Sequence, residues 1–77
     1  MNKEDRKRIS NIAMQVESLK DELGEIIEAE EEKYDNLPEG LQNGEPGEKI
    51  QEGLTSLQDA ENSLDDALSS LSEVDDI

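Results

Sequence analysis

The side chains able to do chemistry in this 77-residue chain are nearly all carboxylates: 22 Asp and Glu stand against 7 Lys and Arg, with no His and no Cys. Without imidazole or thiol the chain lacks the commonest general base and the usual zinc ligands, and its serines and single tyrosine stand in no nucleophile motif. Carboxylates alone can hold Mg²⁺ or Ca²⁺. The third ligand slot of an EF-hand counted from Asp35 is Leu37, however, and a helical Glu-x-x-His di-metal site needs a histidine. The expectation is a protein that is not an enzyme and carries no cofactor and no metal.

What remains is charge, and it is ordered. Glu52, Asp59, Asp66 and Glu73 recur every seven residues, as do Asp21, Glu28 and Asp35. The densest group is Glu28, Glu31, Glu32, Asp35, Glu39, Glu45, Glu48 and Glu52, offset only by Lys33 and Lys49, and these eight form the candidate partner-binding surface. Crowding of like charge there is expected to weaken the fold as the carboxylates ionise, with relief from salt or a divalent cation. Lys3, Arg6, Lys7 and Arg8 form a candidate anion-binding cluster whose simpler role is to pair with an acidic C-terminus. A net charge of −15 argues against nucleic acid and anionic membranes as partners. No apolar core of a signal peptide follows the basic start, and no run is apolar enough to span a bilayer, so the expected location is cytoplasmic.

The elements that must position these charges are two helical arms. From Ile9 the apolar residues fall at Ile9, Ile12, Val16, Leu19, Leu23 and Ile26, the alternation of three and four that marks heptad positions a and d. Toward the end of this arm the stripe broadens to Ile27 and Tyr34, as the 3.6-residue turn drifts against a 3.5 repeat. Asn2 is the expected N-cap, which predicts a helix over about 3–34. Gly24 falls at position b, on the expected outer side. In the second arm Ile50, Leu54, Leu57, Leu64, Leu68 and Leu71 occupy a and d, Glu61 interrupts an a site, and Ala60, Ala67 and Val74 add a column at g. This predicts a helix over about 47–75.

Between the arms, residues 35–46 read as a hinge with a short turn at 37–41, Asn36 capping it and Pro38 in its first turn. Tyr34, Leu37 and Leu41 are expected to fold over the open end of the core. Closing the chain there pairs residues whose numbers sum to about 80, which sets Val16 against Leu64 and Ile9 against Leu71, and Lys3, Arg6 and Arg8 beside Glu73, Asp75 and Asp76. The expected fold is all-α: one domain over 1–77, an antiparallel two-helix hairpin of coiled-coil type. Two helices cannot bury both broad faces, so a homodimeric four-helix bundle or higher oligomer is expected. Two such chains along a rod of ~45 Å would carry about one charge per 1.5 Å, close to the ~1.7 Å of duplex DNA.

At EEEKYDNLPEGLQNGEPGEKIQEGL, followed by LQDAENSLDDALSSL, the chain resembles small acidic proteins encoded by phages, prophages and other mobile elements of Gram-positive bacteria, best over residues 30–71. The resemblance implies a bacterial host cell and supplies a context rather than an activity. Small non-enzymatic phage proteins often occupy a host protein. The leading expectation is therefore an oligomeric binder that blocks a basic host protein, such as a defence component, through its DNA-like acidic surface. The alternatives are an oligomeric sponge that gathers Lys3, Arg6, Lys7 and Arg8 around a nucleotide signal, and a virion structural or assembly protein.

Overall fold

The computed structural model describes residues 1–74, which form three helices and their short connections. Helix α1 spans Lys3–Asp35, α2 Glu39–Gln42 and α3 Glu45–Glu73. Helix α1 begins where a side chain can satisfy a free amide: Asn2, in extended backbone, accepts from the Asp5 amide at 2.7 Å, and Glu4 and Asp5 sit at the positive end of the helix. Helix α3 has Gly44 as its N-cap and Pro46 in its first turn, where the missing proline N–H costs no hydrogen bond.

The connector differs from expectation in detail. Asn36 caps no helix start; its amide donates to the Glu32 carbonyl and closes α1. Pro38 holds the N-cap of α2 instead, which moves the short turn to 39–42. The Gln42 side-chain amide reaches back to the Tyr34 carbonyl at 2.9 Å, tying α2 to the end of α1. On the other flank the Gln42 backbone lies directly on Gly47, which is buried, and a Cβ there would overlap the Gln42 carbonyl. Tyr34 and Leu37 are half-buried, but Leu41 remains 45% exposed, so the lid has two members rather than three.

Helices α1 and α3 lie along one another in a rod of 58 × 15 × 13 Å. On α3 the residues turned toward α1 are Ile50, Leu54, Leu57, Glu61, Leu64, Leu68 and Leu71, the expected a and d positions. On α1 they are Ile9, Ala13, Val16, Lys20, Leu23, Ile27, Glu30 and Tyr34. This corrects the expected seam, because Ile12, Leu19 and Ile26 are 49%, 54% and 49% exposed. At 100° per residue, the inward face is turned by roughly 50° from the a/d stripe. The reason is the width of the apolar stripe: one neighbour cannot cover all of it, and the flank with Ala13, Ile27 and Tyr34 is the one taken. Gly24, expected outside, is thereby half-buried opposite Glu61. Ile27 and Leu54, each 6% exposed, are the only buried hydrophobic residues among the described residues.

The register is also shifted. Lys20 meets Asp65, Gly24 faces Glu61, and Tyr34 shares a groove with Gln51, so residue numbers in contact sum to about 85 rather than 80. Five residues correspond to a slide of roughly 7.5 Å along the rod. Glu73 therefore lies level with Ile12, not with Lys3, Arg6 or Arg8, and Arg8 reaches Asp5 at 3.9 Å instead. Asp75 and Asp76, the other expected partners, lie outside the described residues. Among those described, no helix is long and apolar enough to cross a membrane.

Candidate functional site

Because the connector turns the chain back at residues 36–44, the carboxylates on either side of it gather at one end of the rod. Glu28, Glu31, Glu32 and Asp35 arrive on the last turns of α1, Glu39 opens α2, and Glu45, Glu48 and Glu52 follow on the first turns of α3; all eight are exposed. The two lysines at this end are already engaged by their own helices. Lys33 contacts Glu30 at 2.8 Å and Lys49 contacts Glu45 at 3.4 Å, pairs of the kind that contribute a few tenths of a kcal/mol in water. The end thus presents concentrated negative charge to whatever approaches it.

Within it, Glu31 and Asp35 line a groove of about 380 Å³ with Tyr34, Leu54 and Gln58. An aromatic ring and an aliphatic floor beside two carboxylates suit a long basic side chain, whose methylenes pack while its charge is met. Among the described residues no group of three acidic side chains is placed to hold a metal ion.

The basic cluster is at the opposite end and does not converge. At 100° per residue Lys3, Arg6, Lys7 and Arg8 fan around roughly 200° of α1. Arg6 is half-buried and the other three are exposed. A phosphate group could meet two of them on one chain but not all four.

One charged pair was not foreseen. Lys20 Nζ contacts Asp65 Oδ1 at 2.6 Å across the two long helices. The hydrogen bond to Asp65 raises the Lys20 pKa above its ordinary 10.5, and the charges of Asp65, Glu61 and Asp21 act in the same direction against partial desolvation. The available signal was isolation: Lys20 is the only base between Arg8 and Lys33. The exposure of Ile12, Leu19 and Ile26 was missed as well, since periodicity marks an apolar stripe without saying which part of it a neighbour covers.

No protein family, no curated protein and no solved structure matches this chain.

Proposed function

We propose that this chain is a non-enzymatic accessory protein of a phage or mobile element whose acidic end binds and blocks a basic host protein, a defence component being the class in view. It does so as an antiparallel, coiled-coil-like hairpin assembled with further copies into a four-helix bundle or higher oligomer. The observation that carries this reading is the exposure of Glu28, Glu31, Glu32, Asp35, Glu39, Glu45, Glu48 and Glu52 at one end of the rod, with the two local lysines engaged by their own helices. Such a surface attracts a basic partner at long range, and the attraction falls steeply with salt. Two chains of −15 along 58 Å give one net charge about every 1.9 Å, near the ~1.7 Å of duplex DNA, so a DNA-binding surface is a fitting target.

The test is affinity capture from a bacterial lysate, read by mass spectrometry, with the full chain and a variant carrying Glu28→Gln, Glu31→Gln, Glu32→Gln and Asp35→Asn. A basic protein should be retained by the wild type at low salt and lost both at high salt and from the variant. Asp66→Asn with Glu73→Gln, level with Leu19 and Ile12 and so remote from this end, should keep it. Absence of any such protein at low salt overturns the reading. If cyclic nucleotides raise the melting temperature while no basic protein is captured, the sponge built on Lys3, Arg6, Lys7 and Arg8 takes its place.

A further inference from the structure

The two long sides of the helix pair are unlike, and one of them is unfinished. Lys20 and Asp65 mark one side. On the other, Ile12, Leu19 and Ile26 of α1 stand about half exposed beside the half-buried Leu57, Leu64 and Leu71 of α3. Helical periodicity places Gly53, Ala60, Ala67 and Val74 on that same edge of α3, with Ser56, Ser63 and Ser70 next to them. These columns hold no acid over 53–71, in a chain with 22 acidic residues. Ser63 donates its hydroxyl to the Asp59 carbonyl at 3.0 Å, so it can be covered without losing a partner. At the end of the strip, Met1, Asp5, Arg8, Ile9 and Ile12 line a shallow groove of about 290 Å³.

We infer that a second copy of this chain covers this strip, with a two-fold axis along the rod and Ile12, Leu19 and Ile26 of each copy seated over Val74, Ala67 and Ala60 of the other. This rests on the proposed oligomer and specifies its interface. Three observations choose the occupant. The first is area: the chain exposes 5859 Å², whereas a monomer of 8.6 kDa is expected to expose about 4,700 Å². The excess of roughly 1,200 Å² exceeds the ~800 Å² per partner that a standard interface buries.

The second is fit. With contacting numbers summing to about 85, Ile12, Leu19 and Ile26 are level with Val74, Ala67 and Ala60, so a rotation about the rod axis brings large residues onto mostly small ones without any slide. The third is charge. A basic partner would be met by carboxylates, whereas this strip is where an acidic chain keeps α3 free of them, so that a second acidic copy can approach. The rows Glu52, Asp59, Asp66, Glu73 and Asp21, Glu28, Asp35 remain outside.

The test uses the absence of native cysteine. Full chains carrying Leu19→Cys and Ala67→Cys are prepared separately, refolded together and oxidised. A disulfide-linked heterodimer joining 19 to 67 is expected, with neither chain cross-linking to itself. Self-linked Leu19→Cys places α1 on α1 and overturns the axis. A doubled mass by sedimentation with no 19–67 link overturns this face while leaving the oligomer standing, and a folded monomer at micromolar concentration overturns both. Leu19→Asp should raise the dimer dissociation constant about a hundredfold, since symmetry enters it twice and each buried aliphatic side chain is worth roughly tenfold or more. None of these readouts needs the host protein, so the acidic end stands or falls separately.

Discussion

The Lys20 side and the Leu19 side of this helix pair are built from the same heptads and end differently. On the first, long polar side chains cross between helices: Lys20 reaches Asp65, and a groove of about 410 Å³ lined by Ala13, Glu17, Lys20, Asp65 and Leu68 stays open to water. On the second, aliphatic side chains stand out with nothing among the described residues to cover them. The lesson is that an apolar stripe wider than one neighbour requires is divided. Here α1 gives the half with Ala13, Ile27 and Tyr34 to α3 and keeps Ile12, Leu19 and Ile26 for another surface.

Breaking the seam common to both sides should have the largest effect. Ile27→Ala or Leu54→Ala removes one of the two aliphatic side chains that are buried among the described residues, at a cost of about 2–5 kcal/mol. For a chain of this size that is a fall in melting temperature of roughly 10 °C or more, read by circular dichroism. A change near zero would mean that the seam is not where the core lies.

Next is the joint that sets the register of the two sides. Gly47→Ala should destabilise by about 2 kcal/mol, because the new methyl meets the Gln42 backbone rather than a movable side chain. Gly40→Ala, with open space around it, is the control and should be neutral or stabilising by a few tenths of a kcal/mol to about 1 kcal/mol. Equal effects from the two would remove the role given to the close approach.

Salt sharpens the contrast between charged end and apolar strip. Screening the −15 charge should raise the melting temperature and strengthen self-association, while weakening capture of a basic partner. If self-association weakened as salt rose, ion pairing rather than the apolar strip would hold the copies together.

The smallest expected effect belongs to the Lys20 side. A raised folded-state pKa means that the contribution of Lys20 is complete below its ordinary 10.5 and is lost as pH rises through the higher folded value. Asp65→Asn should therefore lower the melting temperature slightly at neutral pH, and that difference should vanish in strong alkali. A difference that persists there would assign Asp65 some role other than pairing with Lys20.

Much of this was legible in the residues. The N-cap at Asn2, the helical arms, the proline at the start of α3 and the gathering of eight carboxylates around the connector follow from local rules: side chains that cap, residues that cannot continue a helix, and apolar spacing at the helical period. Such features depend on neighbours a few positions away, which the sequence states directly. Only the tertiary structure decided which flank of the α1 stripe turns inward, that contacting numbers sum to about 85, that Lys20 finds Asp65, and that Lys3, Arg6, Lys7 and Arg8 spread apart. The physical reason is that rotation and sliding of one helix against another are set together by every side chain in the seam and by the packing of Gln42 on Gly47. A heptad names the stripe, and packing chooses the part of it that is used.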